Sequence, residues 1–200
     1  MNKEAIIIFA RNPESGKVKS RIAKILGDEK ALEIYKKLLD SIYSKTRNLK
    51  VKKFLFLSEF TDKSLFDPCY KQLVQNGKDL GEKMHNAMYS VFKYGFEKVI
   101  LAGTDVPGLN EEIINEAFEK LSFFDVVIGP SADGGYYLIG MKESDFSLFE
   151  NIDWGNELVL SKSIERIKYR NKSCYILKEL NDIDTLEDLK YFDYKNKNSG

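Results

Sequence analysis

Short apolar runs recur along the chain with amphipathic segments between them: "AIIIFA" (5–10), "KKFLFLS" (52–58), "KVILAG" (98–103) and "DVVIGP" (125–130). The first is rich in Ile and reads as a strand buried on both faces, the kind found in parallel sheets. Between the runs the period changes. Leu32, Tyr35, Leu39, Ile42 and Tyr43 fall at helical spacing after Asp28, a candidate N-cap. Asp79 is followed three residues on by Glu82, a capping pattern, with Leu80, Met84, Ala87, Met88 and Val91 as an apolar face and Gly95 as a stop. A third helix is expected from about Asn110, with Ile113, Ile114, Ala117, Phe118 and Leu121 on one side.

After "DVVIGP" comes "YYLIGM", too close for a helical crossover, so that strand is expected to run antiparallel. A helix near 157–169, a strand near "CYIL" and a short helix capped by Thr185 complete the pattern. Alternation of this kind predicts an α/β protein: a three-layer α/β/α single domain over 1–193 with a mostly parallel mixed sheet. The final residues, 194–200, read as a frayed tail.

The 200 residues are 43% hydrophobic, enough to bury one core. Lys and Arg number 31, as do Asp and Glu, so no global basic field exists to hold a nucleic acid. Any anion site must be local. The apolar runs are too short to span a bilayer, the N-terminus lacks a signal-peptide pattern, and Cys69 and Cys174 are too isolated for a metal knuckle, so a cytoplasmic protein is expected. His85, the only histidine, is read as a surface or packing residue.

In open α/β sheets, ligands gather in the loops at the carboxyl ends of the strands. Four loops qualify here. The first, within "IIIFARNPESGKVKSR", resembles a Walker phosphate loop, but aligning on Gly16 and Lys17 puts Arg11 at the first glycine and Val18 at the hydroxyl position. What remains is a loop whose Lys17, Lys19 and Arg21 can surround a diphosphate, or simply a solvated basic loop. The second, "LAGTDVPGLN", sets Asp105 just beyond a strand, a place for a divalent cation ligand or a turn aspartate. In the third, "GPSADGGYYLIG", Gly134 and Gly135 allow close backbone approach to a ligand and Asp133 can bind a sugar hydroxyl or act as a base. A plain Asp-Gly turn explains it equally well. The fourth, "NDIDTLEDL", offers Asp184 as a second metal ligand or a helix cap, whereas Glu187 and Asp188 suit the first turn of a helix without any functional reading.

Five blocks, "FARNPESGKVKSRIAKILG", "DLGEKMHNAM", "GTDVPGL", "GPSADGGYYLIGM" and "NDIDTLEDL", resemble the signature blocks of the DUF2064 family of bacterial and archaeal glycosyltransferases, in family order across residues 6 to 189. That family is similar to nucleotide-diphospho-sugar transferases of the Rossmann-like GT-A fold. The first block also resembles a segment of archaeal 2-phospholactate guanylyltransferases. The resemblance implies base and phosphate contacts from Ala10, Arg11, Gly16, Lys17, Lys19 and Arg21, and base contacts from Leu80 and Gly81. It further implies donor or acceptor contacts from Asp133, Gly134, Gly135 and Tyr136, and a Trp154 that either stacks on a sugar or packs. Asp105 matches the acidic metal position and Asp184 the distal ligand, for Mg2+ or Mn2+. GT-A enzymes often carry Asp-x-Asp at that position, and here Gly103 replaces the first acid.

Three readings follow. The first is a metal-assisted glycosyltransferase using a nucleotide-diphospho-sugar, with Asp105 and Asp133 catalytic and the small-molecule acceptor left open. The second is a guanylyltransferase-like nucleotidyltransferase acting on a nucleoside triphosphate and a phosphorylated small molecule. The third is a nucleotide-binding module without turnover.

Overall fold

The computed structural model describes residues 3–190 and 192. Seven strands form one sheet: β1 (Glu4–Ala10), β2 (Lys52–Leu57), β3 (Tyr70–Val74), β4 (Lys98–Ala102), β5 (Val126–Pro130), β6 (Tyr136–Met141) and β7 (Cys174–Ile176). Their spatial order is β3-β2-β1-β4-β6-β5-β7, and every neighbouring pair is parallel except those made by β6. The expectation for "YYLIGM" therefore holds: five residues separate β5 from β6, too few to return to the opposite edge, so the chain folds back antiparallel.

Five α-helices lie wholly among the described residues, α1 (Ser20–Leu26), α2 (Asp28–Thr46), α3 (Leu80–Phe92), α4 (Glu111–Lys120) and α5 (Val159–Tyr169), of which α2 to α5 pack on the sheet. Strand side chains alternate between two cores. Ile6, Ile8, Leu55 and Leu57 join Tyr35 and Leu39 of α2 and Ile114 and Phe118 of α4 on one face. Ala5, Ile7, Phe54 and Phe56 join Met84 and Met88 of α3 and Ile167 of α5 on the other. Strands buried on both faces read as continuous apolar runs, which is why "AIIIFA" and its successors were legible. The domain is the three-layer α/β/α sandwich expected.

Local signals were mostly realised. The Asp79 carboxylate accepts from the Glu82 N–H at 2.9 Å, and the Asn110 side-chain oxygen caps α4 in the same way, accepting from the Ile113 N–H at 3.0 Å. Four expectations need correction. Asp28 is the first residue of α2 rather than its cap, a place where its charge favours the helix dipole. The stretch after β1 is not all loop: α1 occupies seven of its residues, a helix with only Ile22 buried and hence no helical stripe to detect. The segment around Pro68 contains β3, an edge strand in which Tyr70 alone is buried, so its sequence lacks an apolar run. The helix expected from Thr185 begins only at 189: residues 185–188 form a bend and turn in which the Asp188 carboxylate accepts from Thr185 N–H and Oγ and from Asp184 N–H, so the Thr185 hydroxyl is used as a donor and caps no helix. Residues 194–200, expected as a tail, lie outside the described residues. No helix among the described residues is long and apolar enough to cross a membrane.

A third cluster joins α1 to the chain's end: Ile22 packs with Ala31, Ile34 and Leu38 of α2 and with Ile183 and Phe192. Truncating its central side chain, Ile22→Ala, should cost about 2–4 kcal/mol. Urea denaturation measures this, and a loss below about 0.5 kcal/mol would mean that α1 is held by something other than this packing.

Candidate active site

The chain runs from β1 outward through β2 and β3, then returns to place β4 on the other side of β1. Connections leave β1 and β4 in opposite directions, so a crevice opens at their carboxyl ends, the usual ligand position in open α/β sheets. Because β1, β4, β5 and β7 all point the same way, the four loops singled out in the sequence share this edge. The Ile183 N–H donates to the Asp105 carbonyl at 2.9 Å, and Ser131 bridges Leu180, so the last block is stitched to the loops after β4 and β5.

Lys19 sits at the centre. Its Nζ lies 2.9 Å from Asp105 Oδ2, 3.1 Å from Asp184 Oδ1 and 2.7 Å from the Ile183 carbonyl oxygen. Its side chain is 4% exposed, against 44% and 39% for the two aspartates, so the ammonium lies beneath carboxylates that still face solvent. Arg21 Nη1 approaches Asp184 Oδ2 at 3.4 Å from the outer side. The Asp184 carboxylate is thus engaged by cations rather than by a helix terminus. The buried Thr104 donates from its hydroxyl to Asp105 Oδ1 at 3.3 Å.

The other expected residues divide into two groups. Arg11 and Lys17 keep exposed side chains on the first loop, where Arg11 Nη1 donates to the Lys17 carbonyl and Lys17 Nζ pairs with Glu14 at 3.0 Å and Glu59 at 2.8 Å. Those two carboxylates raise the pKa of Lys17 and hold it apart from Lys19, so the three cations of the loop do not form one cluster. Gly16 is exposed, and Leu80 is 44% exposed at the start of α3. Ala10, in contrast, is buried, and its carbonyl takes a hydrogen bond from Gln75 at 2.8 Å.

In the second group, packing within the protein explains the residue type. A Cβ on Gly81 would lie 2.5 Å from both the Phe149 carbonyl oxygen and the Trp154 Nε1, so Gly81 and Trp154 fit against each other. Gly134, at φ +86°, would meet the Glu157 backbone at 2.3 Å, which makes its glycine a requirement of loop-to-loop contact. Tyr136 packs edge-on against Trp154, and burial of its hydroxyl, against the opposing effect of Ser163 of α5, raises its pKa strongly. The Asp133 Oδ1 accepts from Ser131 Oγ and from the Gly135 N–H at 2.9 Å, closing a tight turn.

Two residues not expected at the site, Asn12 and Tyr35, organise this edge, and a third, Asp182, carries a perturbed carboxyl there. Asn12 is buried, and its Oδ1 accepts from Glu59 N–H at 2.8 Å and Ser58 Oγ at 3.1 Å, locking the loop after β1 to the loop after β2. Tyr35, correctly read as core, also carries a hydroxyl that accepts from Arg11 N–H at 2.8 Å and donates to the Arg11 carbonyl at 3.1 Å. Burial pushes its pKa up to about 12, so it stays neutral. Asp182 is partly buried, and its pKa is raised to about 6 by burial first and then by Asp133, Asp184 and Asp188 nearby. Buried asparagines and tyrosine hydroxyls announce themselves only when their partners are known. The doubled acid of "NDID" was the one available signal for Asp182.

Do these side chains suit a divalent cation? Asp105 and Asp184 supply oxygen donors directed at one point, and a hard cation can be held by one or two carboxylates when substrate phosphates complete its shell. No group of three or more metal-ligating side chains occurs among the described residues. The two carboxylates can hold such a cation with water or substrate phosphates completing its shell.

A family model described as "Uncharacterized protein conserved in bacteria (DUF2064)" matches residues 45–156. A solved structure from Desulfovibrio desulfuricans G20, described as a "putative nucleotide-diphospho-sugar transferase", is 31% identical over all of this chain and 90% of its own, with a TM-score of 0.93. The chain belongs to the DUF2064 family. The matched span holds the blocks around Gly81, Asp105 and Asp133, while the Lys19 and Asp184 blocks lie outside it and are covered by the structural match. Two more distant structures share the fold. The 4-diphosphocytidyl-2C-methyl-D-erythritol synthase of Anaerococcus prevotii is 10% identical over 98% of this chain and 96% of its own, at a TM-score of 0.66. Rv0371c of Mycobacterium tuberculosis H37Rv, solved in complex with manganese, is 11% identical over 94% and 96%, at 0.58. No curated protein matches the chain.

The raised pKa of Asp182 has a stability consequence with a definite sign. Between the ordinary carboxyl value of 3.8 and about 6 the folded protein holds a proton that the unfolded chain has released, so stability falls as pH rises through this window. Asp182→Asn should gain on the order of 1 kcal/mol at pH 8, the partial exposure of the carboxyl reducing the full effect, and the gain should vanish below about pH 4. Chemical denaturation of both proteins across pH 4–8 reads the difference, and a gain independent of pH would contradict the burial of charge at Asp182.

Proposed function

We propose that this protein is a nucleotide-dependent transferase that takes a nucleotide-diphospho-sugar and, with Mg2+ or Mn2+, passes the sugar to a small acceptor. One observation carries the reading: Lys19, Asp105 and Asp184, far apart in the chain, meet at the carboxyl ends of β1 and β4. Cation and carboxylates so placed suit a diphosphate whose negative charge grows as it leaves. The relative from Desulfovibrio desulfuricans carries the same chemistry in its name.

In this reading Lys19 and Arg21 offset the charge of the departing diphosphate. A divalent cation held by Asp105 and Asp184 would supply Lewis-acid stabilisation of the same oxygens. Arg11, Gly16 and Lys17 on the first loop, and Leu80 at the start of α3, are exposed and contact base and phosphates. The role of Ala10 there is limited to its backbone, and Gly81 acts by letting Trp154 seat against α3. Asp133 orients the acceptor: its Oδ1 is used in the turn through Ser131 and Gly135, while Oδ2 accepts no hydrogen bond among the described residues and can receive an acceptor hydroxyl. Gly134 and Gly135 fix that carboxylate in place, with Tyr136 and Trp154 packed behind.

A second reading, nucleotidyl transfer from a nucleoside triphosphate, is favoured by one feature. Gly103 stands where GT-A sugar transferases often carry a first acid, and without it the metal is not tied to a donor sugar by an Asp-x-Asp pair. The products separate the two: free nucleoside diphosphate for sugar transfer, pyrophosphate for nucleotidyl transfer.

Thermal shift against nucleotides and sugar nucleotides, with and without Mg2+ or Mn2+, should show stabilisation by a nucleotide sugar that grows with metal. Absence of any shift would remove both transferase readings. Once a donor is found, Asp105→Asn should abolish the metal-dependent part of the shift and lower turnover by at least about 100-fold. Unchanged metal dependence would take Asp105 out of the site.

A further inference from the structure

Taking the site above as one for a metal and a diphosphate, we infer that Lys19 is a tethered cation holding the place between Asp105 and Asp184, so that lysine and divalent metal compete for the same oxygens. Two carboxylates directed at one point repel each other unless a positive charge lies between them. The resting protein supplies that charge from its own chain, with Nζ 2.9 and 3.1 Å from the two acids and the Ile183 carbonyl as a third acceptor at 2.7 Å. An ammonium has three donors, and three oxygens surround this one. A magnesium or manganese ion needs the same carboxylate oxygens, and magnesium holds its ligands at about 2.0–2.1 Å. An ammonium and a divalent ion so close together repel, and only one of them can have both acids.

The local backbone permits the exchange. Lys19 is anchored on either side by the buried Val18 and Ile22, and its φ of 49° places it at the turn into α1, so its Cα is fixed while the four-carbon stem can swing. A diphosphate offers the departing ammonium new oxygen partners. Metal and diphosphate therefore bind with positive coupling, each making room for the other, and the carboxylates are never left without a counter-charge. Arg21, on the outer side of Asp184 and 67% exposed, is too far out to replace Lys19 between the acids.

A purely structural salt bridge and a tethered competitor differ in one measurable way: only the competitor can be replaced by free metal. Lys19→Met keeps the length of the stem and removes the charge. With Mn2+ alone as the probe and no nucleotide present, titration followed by electron paramagnetic resonance should show binding at least about tenfold tighter in Lys19→Met than in the wild type. The variant should also melt at a lower temperature than the wild type without metal, and Mn2+ should restore the difference. Adding Asp105→Asn should abolish both effects. Equal Mn2+ affinity in variant and wild type, or a melting temperature that metal leaves unrestored, would overturn the inference. Should the Met variant not fold, Lys19→Gln keeps a donor for the Ile183 carbonyl and is judged by the same two readouts. Because no nucleotide enters this experiment, its outcome is separate from the thermal-shift test of the transferase reading.

Discussion

The contact on which this molecule's working edge depends is the ammonium of Lys19 between Asp105 and Asp184. It joins the loop after β1, the loop after β4 and the segment following β7, and it does so in a place where the lysine is covered but the acids are not. Leaving the two acids unpaired would cost their mutual repulsion, and leaving the lysine unpaired would strand a buried charge. Each member makes the other tolerable. The neighbouring structure reinforces the same junction: Ile183, whose carbonyl receives the lysine, also donates its N–H to the Asp105 carbonyl and buries its side chain against Ile22 of α1.

That junction is possible only because of the sheet's winding. The chain leaves β1 toward β2 and β3 and returns to β4 on the other flank, which opens the edge between β1 and β4 to a ligand. The antiparallel β6 has a related effect. Inserted between β4 and β5, it moves the Ser131–Gly135 turn away from the switch point, and the last block of the chain bridges the gap through Leu180 and Ile183. The family-model match over residues 45–156 thus takes in the Asp105 and Asp133 loops, while the lysine comes from outside that span.

The glycine and aromatic positions show packing within the protein fixing residue types that the sequence marks by resemblance. Gly81, Gly134, Tyr136 and Trp154 stand out in the sequence as ligand contacts by resemblance, but their geometry is explained by close packing among α3, α5 and the intervening loops. Such packing holds the edge rigid, and a site presented on rigid elements is better preorganised than one on free loops. Asn12 and Tyr35 do equivalent positioning with hydrogen bonds, joining the loop after β1 to β2 and α2. A polar residue in a core pattern looks like any other turn or helix residue until its partner's location is known.

By itself the sequence determined the layers and much of the connectivity. Continuous apolar runs can be satisfied only by strands covered on both sides, helical periodicity supplies the covers, and the five-residue link before "YYLIGM" forces a reversal. It also marked the charged loops, because the order of strands and helices sends them to one edge. Short or edge elements stayed hidden: α1 buries a single side chain and β3 has one fully covered residue, so neither leaves a periodic trace. Which charges meet was decided by tertiary structure alone. Lys17 and Lys19 are two residues apart on the same loop, yet one turns outward to Glu14 and Glu59 and the other inward to Asp105 and Asp184. Their partners are separated from them by up to 165 residues, and only the winding of the sheet brings them within reach.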